Sequence, residues 1–354
     1  MSRPASQLDP VEVDGSQGEG GGQILRTSLA LAGVTGRPVR IHSIRANRST
    51  PGLRPQHRQC VLAAAQVCGG AANRADVGST DLTFWPGDPV SIAGGDFTFD
   101  IGTAGSCSLV LQTVLPILLH ASGPSTVKVI GGTHNPFAPP APFLRYAFQN
   151  ALRKIGYDVG FELVRPGFYP VGGGELLMRV NPVPRDQLRP LDWADRGGFI
   201  SLRCEVLYNR VPEHVARREL EVLRRTLKHA GWPLPAVTVR EAEEARSPGN
   251  GVTVRAIYEN ADEVFTGFGK RGKRAEAVAQ EAADAAVRWL VAGVPVGEHL
   301  ADQLLLPIAL AKGGRFVTMP LDDHTPTNAA VISQILGTTT RFTNHGRRVV
   351  VEVE

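Results

Sequence analysis

Five glycines set between a strand end and a helix limit what this chain can fold into more than any other feature. Val11, Glu12 and Val13 alternate in polarity. Residues 14–26 then read Asp-Gly-Ser-Gln-Gly-Glu-Gly-Gly-Gly-Gln-Ile-Leu-Arg, and residues 24–31 have helical character. Glycine adopts positive φ and lets a ligand come close to backbone amides. A strand, a glycine turn and a helix N-terminus together favour anions. Glu19, Gln23 and Arg26 sit in this turn and in the first turns of the helix. They supply one acceptor for a metal, one amide and one guanidinium fork for phosphate. The pattern is no P-loop, because no lysine follows the glycines, and G-x-G-x-x-G fails at Gln23. For the glycines alone a ligand-free turn is the alternative; the charged flanks favour a site.

The same supersecondary pattern recurs in altered form. Residues 97–101 read as a strand, 102–108 as a turn of small residues, and 109–119 as an apolar helix interrupted by Gln112. A third copy starts at residue 294, where Gly297, Glu298, His299, Leu300, Ala301, Asp302 and Gln303 lead into an apolar helix over 304–311. Such recurrence predicts a large domain built by repetition. Between the second and third copies, residues 181–193 are rich in Pro, Asp and Arg and read as a linker. Strands near 199–207, 237–241, 251–257 and 263–267, with helices over 212–230 and 275–290, then read as a separate β-α-β-β-α unit. The expected organisation is α/β, of the α+β kind: a large domain from residues 1–191 and 292–354, with a smaller α/β domain, 192–291, inserted.

A chain of 354 residues is long for one domain. Its 42% hydrophobic and 20% charged content is ordinary for a soluble globular protein. No apolar run is long enough to span a membrane, and the first residues lack an apolar signal core. A cytoplasmic protein without a membrane partner is expected. Cysteines at 60, 68, 107 and 204 match no zinc spacing and are expected to be reduced and buried.

The net charge of +4 does not by itself indicate nucleic acid. Only six of the 38 basic residues are lysine. Arginine suits bidentate phosphate binding, although arginine-rich codon usage is the simpler cause. Residues 45–58 concentrate Arg45, Arg48, Arg54 and Arg58 with Gln56 and His57 and few carboxylates, which reads as a phosphate-binding surface; a solvated basic loop is the alternative. A buried Gln112 needs partners, from a ligand or from the protein. Phe143, at the helix start that follows Pro139, reads as core or as a stacking surface for a base. His134 reads as a turn residue. His324 lies just before a helix over 329–336, as a turn residue or, with a neutral imidazole, a competent nucleophile.

Together these segments resemble the RNA 3′-terminal phosphate cyclase family over nearly the whole chain. The resemblance rests on Gly18-Glu-Gly-Gly-Gly-Gln-Ile-Leu-Arg26, on Arg45-Ala-Asn-Arg48 with Pro51-Gly-Leu-Arg-Pro-Gln-His57, and on Gly105-Ser-Cys-Ser-Leu-Val-Leu-Gln112. Further along it rests on Ala138-Pro-Pro-Ala-Pro-Phe143, Gly167-Phe-Tyr-Pro-Val-Gly-Gly-Gly174, Gly297-Glu-His-Leu-Ala-Asp-Gln303, and His324 with Thr327-Asn328.

The resemblance implies a large domain of three βαβαββ units, an architecture shared with enolpyruvyl transferases. It implies an enzyme that spends ATP, with Mg²⁺ or Mn²⁺, to convert an RNA 3′-terminal phosphate into a 2′,3′-cyclic phosphodiester through a covalent histidine–AMP intermediate. In that reading His324 is the nucleophile and Glu19 the metal ligand. Gln23, Arg26, Arg45, Arg48, Gln56 and His57 surround phosphates or RNA. Gln112, Pro139, Phe143, His299, Leu300, Ala301, Asp302 and Gln303 form the ATP site. The oligomeric state stays open, a homodimer included.

Three departures stand out. His299 replaces an aromatic and is a rival nucleophile. Pro166 replaces a basic residue, for which Arg165 is a substitute. Asp322 and Asp323 add negative charge before His324. A non-catalytic, RNA-binding assembly factor is the main alternative, and an enolpyruvyl-transferase-like enzyme the other, since fold alone does not fix chemistry.

Overall fold

The structure is a computed structural model that describes residues 8–18 and 20–354; Glu19 lies outside the described residues. Among the described residues the strands form four four-stranded sheets. In the first, β1 (Val11–Asp14) runs parallel to β2 (Val39–His42), with α1 (Gly22–Thr35) between them in sequence. A parallel pair requires such a crossover. After α2 (Pro55–Cys68), β3 (Ala71–Asn73) and β4 (Leu82–Trp85) complete the order β1-β2-β4-β3, with both further pairings antiparallel.

The second sheet has the same order and sense. Here β5 (Gly95–Asp100) is parallel to β6 (Ser125–Gly131), and β8 (Gly174–Asn181) pairs antiparallel with β6 and with β7 (Asp158–Arg165). Its helices are α3 (Cys107–Leu118), then α4 (Ala141–Phe143) and α5 (Gln149–Ile155), joined by a π turn over Leu144–Phe148. In the fourth sheet along the chain β9 (Leu191–Trp193) is parallel to β14 (Gly314–Thr318). There β16 (Val349–Val353) pairs antiparallel with β14 and with β15 (Thr340–Asn344). Its helices are α8 (Glu298–Leu310) and α9 (His324–Leu336).

Between β9 and α8 the chain builds the remaining sheet, ordered β11-β10-β12-β13. It consists of β10 (Phe199–Asn209), β11 (Ala236–Glu241), β12 (Gly249–Tyr258) and β13 (Asp262–Phe268), with α6 (Glu213–His229) and α7 (Ala275–Ala292). Three strands lie between the helices, at the three positions expected from the sequence, so the unit is β-α-β-β-β-α. Helix α6 buries Ala216, Leu220, Leu223 and Leu227 at helical spacing while Arg217, Arg218 and Arg224 face outward. That is the stripe expected of a surface helix.

Helix α3 is different. Eleven of its twelve residues are buried, as in a helix apolar all round, and it packs on α1 and α2. Helix α1 also packs on α9. Within α3, Gln112 stands four residues before Pro116, and in α8 Gln303 stands four residues before Pro307.

Three helices start earlier than their apolar runs imply. Helix α2 begins at Pro55, so Pro55, Gln56, His57 and Arg58 belong to its first turn and not to a loop. Helix α8 begins at Glu298, and α9 at His324 rather than after it. Helix starts depend on what satisfies the first free N–H groups, and for α8 that partner comes from another strand. The stretch read as a linker, 181–193, contains a 3₁₀ turn (Arg185–Gln187) and β9, whose strand character comes from pairing with residues 314–316. All four cysteines are free and buried. Among the described residues no helix is long and apolar enough to cross a membrane.

Candidate active site

A cavity of about 680 Å³ opens where the starts of α1, α2, α8 and α9 converge with β13 and the loop after β6. Its lining joins a cationic and polar set, Arg26, Arg45 and Arg48 with Gln56 and His57, to an apolar set, Pro139, Phe143, Phe265 and Phe268, with His299 and His324 among the remaining groups.

The glycine turn brings α1 to this place. Gly18 has φ +52°, and a Cβ there would lie 2.0 Å from Thr327 Oγ1 in the first turn of α9. Only glycine allows that backbone and that approach. At Gly22 a Cβ would lie 2.3 Å from His57 Nε2 and 2.8 Å from Arg26 Nη1. The bare backbone therefore lets the α2 histidine and the α1 arginine close onto the helix start.

Asp302 is the centre of a buried network. Its Oδ1 accepts from Gln23 Nε2 at 2.5 Å and from Asn328 Nδ2 at 3.0 Å, and its Oδ2 accepts from Gln303 Nε2 at 2.9 Å. Gln112 donates in turn to Gln303 Oε1, and Thr27 donates to Asn328 Oδ1 at 2.8 Å. Burial raises the Asp302 carboxyl above its usual range, against the bonds from Gln23 and Asn328. Because Gln23 spends its NH₂ on Asp302, its Oε1 faces His324 Nδ1, 3.3 Å away. An amide oxygen only accepts, so Nδ1 is the donor in this contact, the tautomer that in a neutral ring leaves the lone pair on Nε2. The backbone N–H of His324 is tied to Asp322 Oδ1 at 3.1 Å.

The cationic set is also braced. Arg45, at φ +55°, donates through Nη1 to Thr50 O at 2.7 Å and Gly52 O at 2.8 Å. Burial, then Arg54, lowers its pKa. Burial likewise lowers that of Arg26, with Cys60 and Asp302 acting the other way. His57 is buried, and burial together with Arg26, Arg45 and Arg54 holds its pKa down to about 3. It is therefore neutral at pH 7, with Nδ1 accepting the Arg54 N–H at 3.1 Å. Gln56 Oε1 accepts the Ser106 N–H at 3.0 Å.

Helix α8 takes its start from β13. Gly297, its N-cap, offers no side chain; its N–H donates to Glu263 Oε2 at 2.7 Å, and the Val264 N–H donates to Glu263 Oε1 at 3.1 Å. Burial nevertheless pushes the Glu263 carboxyl up to about 8.

Among the residues picked out from the sequence, Gln23, Arg26, Arg45, Arg48, Gln56, His57, Pro139, Phe143, His299, Asp302, Gln303 and His324 line this cavity together. Phe143 is both core and wall, at 3% exposure. Gln112 does not line the cavity; it reaches it through Gln303. Leu300 and Ala301 do not line it either, being buried in the core behind α8. Glu19 lies outside the described residues. His134 is buried, bonded through Nδ1 to Thr133 Oγ1 at 2.8 Å and packed on Phe168, rather than a plain turn residue. Arg165 is paired with Glu175 at 2.6 Å and does not line the cavity. The sequence reading missed Glu263, Phe265 and Phe268 and gave Asn328 no role. Adjacent buried residues in β13 hide Glu263 from an alternation argument.

An α/β protein whose large cleft joins an arginine cluster, a buried amide–carboxylate network and a histidine at a helix start has the makeup of an enzyme that handles phosphate. Comparison with known proteins narrows this. The family profile described as RNA 3′-terminal phosphate cyclase matches residues 17–342. A protein of that name from Pseudomonas fluorescens is 48% identical over 93% of both chains. One from Ralstonia nicotianae is 50% identical over 92% of this chain and 91% of its own, and one from Ectopseudomonas mendocina is 46% identical over 97% of both. The chain belongs to the RNA 3′-terminal phosphate cyclase family of enzymes.

Proposed function

We propose that this protein uses ATP to convert an RNA 3′-terminal phosphate into a 2′,3′-cyclic phosphodiester, through a covalent AMP adduct on His324. The observation that carries this reading is the line Asp302–Gln23–His324, in which the Gln23 amide oxygen faces Nδ1 and leaves Nε2 to act as nucleophile in a cleft that three arginines also line. In the first step Nε2 forms a bond to the α-phosphorus of ATP and pyrophosphate leaves. In the second an oxygen of the RNA 3′-phosphate displaces the imidazole, giving an RNA–AMP anhydride. In the third the neighbouring 2′-hydroxyl attacks the 3′-phosphorus, loses its proton, and AMP leaves.

Arg26, Arg45 and Arg48 offset charge on the phosphates as it shifts. The adenosine lies with the apolar set, between Pro139, Phe143 and His299, with Asp302 and Gln303 near the ribose. Among the described residues no three His, Cys, Asp or Glu side chains converge as a metal cage. A magnesium or manganese ion would be held by Glu19 and substrate oxygens, one carboxylate being usual for Mg²⁺. Bound there it would neutralise phosphate charge.

The three sheets of equal order and pairing sense support a large domain of three βαβαββ units, residues 1–191 and 292–354, with 192–291 inserted. ATP and RNA as substrates support a cytoplasmic location. The test is incubation with magnesium and α-labelled ATP, followed by a denaturing gel. An acid-labile, alkali-stable labelled band that a 3′-phosphorylated RNA discharges is expected, and His324→Ala should lose it while remaining folded. Label retained by that variant would move the nucleophile elsewhere, His299 first.

A further inference from the structure

Two aromatic rings stand out from the surface beside the cleft. Phe137 is 96% exposed and Tyr169 82%; Phe199 and Phe342, at 39% and 37%, come next among the exposed aromatic rings of the described residues. Single exposed apolar side chains are ordinary. These two are set apart by where their loops are fastened. Asn135 Nδ2 donates to Ala104 O at 2.8 Å, two residues before Phe137. Gly172, three residues after Tyr169, packs so close that a Cβ on it would lie 2.7 Å from Ala104 Cα. Both loops thus rest on one turn, residues 102–105. The next residue, Ser106, donates its N–H to Gln56 inside the cleft. The turn links Gln56 of the cleft, through Ser106, to the loops that carry both rings.

Neither ring is exposed for want of order around it. Phe137 is bracketed by Pro136, Pro139 and Pro140, and itself lines the cleft. Tyr169 follows Phe168, which is buried against His134 with ring centroids 5.3 Å apart. The Val171 N–H beyond it donates to Ser247 Oγ at 3.1 Å, and the exposed Arg246 lies against Gly173. Braced aromatic rings beside cations are how proteins hold unpaired nucleic acid: bases stack on the rings while the cations follow the backbone.

We propose that Phe137 and Tyr169 form a stacking path for the unpaired bases that precede the 3′-terminal phosphate of the RNA. This rests on the reading of the substrate given above. The path starts at Phe137, on the rim of the cleft, and makes affinity depend on RNA length.

The test is the affinity of the purified protein for a single-stranded RNA of about 12 nucleotides with a 3′-phosphate and 2-aminopurine near that end, alongside a nucleoside 3′-phosphate. Phe137→Ala and Tyr169→Ala are each expected to weaken the oligonucleotide roughly 5- to 100-fold and to quench the fluorophore less. Tyr169→Trp should bind as the parent does, and Tyr169→Leu, which keeps apolar bulk without a ring, should not. The mononucleotide should move less than about twofold, since a ligand without preceding bases has nothing to stack. Unchanged oligonucleotide affinity, or an equal loss for the mononucleotide, would overturn the path. AMP labelling of the same protein reads the reaction separately. Ring-dependent binding without labelling would sink the cyclase chemistry and leave the path standing. Labelling with ring-independent binding would do the reverse.

Discussion

Gln23 and Asp302 are 279 positions apart in the chain and share a buried hydrogen bond of 2.5 Å. The pairing joins α1 to α8 and, through the other end of the Gln23 amide, reaches the His324 ring on α9. A single amide thus links three helices and orients the proposed nucleophile.

Replacing Gln23 by Leu should separate those roles. The His324 ring loses its Nδ1 partner, and AMP transfer is expected to fall about 10- to 100-fold, the equivalent of about 1.4–2.7 kcal/mol. Asp302 loses one of its three side-chain donors in a buried place, at a stability cost of about 1–3 kcal/mol. Rapid-quench labelling and urea denaturation measure the two. Unchanged labelling with lowered stability would show that Gln23 only packs.

Gly22→Ala places a Cβ 2.3 Å from His57 Nε2. The ring and the Arg26 guanidinium must move, which is expected to cost about 1–3 kcal/mol and to raise the KM for ATP. Adding His57→Ala removes the closer of the two clashes and leaves Arg26 Nη1, so the double variant should be more stable than the two single losses sum to. Additive losses in denaturant titrations would place the strain elsewhere.

Arg45→Ala removes a guanidinium that faces the cleft but also ties Thr50 and Gly52. The KM for 3′-phosphorylated RNA is expected to rise about tenfold, as for loss of a charge-assisted contact worth ~1.4 kcal/mol. The Tm should fall by only a few degrees. A large Tm drop with KM unmoved would make Arg45 a loop brace and nothing more.

Glu263 gives the protein a pH dependence with a defined sign. Its folded pKa is raised from 4.5 to about 8. Its contribution to stability is fully present below pH 4.5 and is lost as pH rises toward about 8, because the unfolded carboxyl ionises first. Glu263→Gln cannot ionise, so the difference in unfolding free energy between wild type and variant should shift by a few kcal/mol across that window, in favour of the variant at the alkaline end. Parallel curves from pH 5 to 8 would show that the carboxyl is not held neutral.

Much of the site was legible because its groups sit in local patterns. The glycine turn announces α1, and Gln23 and Arg26 follow it at fixed helical spacing. Arg45 and Arg48 stand in one short loop, and Asp302 and Gln303 are neighbours in α8. Glu263 was not legible, because the N–H it satisfies belongs to Gly297, which is 34 positions away. For the same reason the apolar run placed the start of α8 too late, whereas α9 starts early on a local partner, Asp322.

By itself the sequence determined the mixed α/β character, most of the strands and helices, and which polar groups are unusual enough to carry phosphate chemistry. Those properties follow from residue type and spacing along a few turns of chain. Only the tertiary structure decided that Leu300 and Ala301 face the core while Asp302 faces the cleft, that Gln112 acts through Gln303, and that residues 191–193 are a strand of the sheet that ends the chain. Each depends on partners tens to hundreds of residues away, and side-chain direction, strand pairing and burial are set by those partners rather than by the local chain.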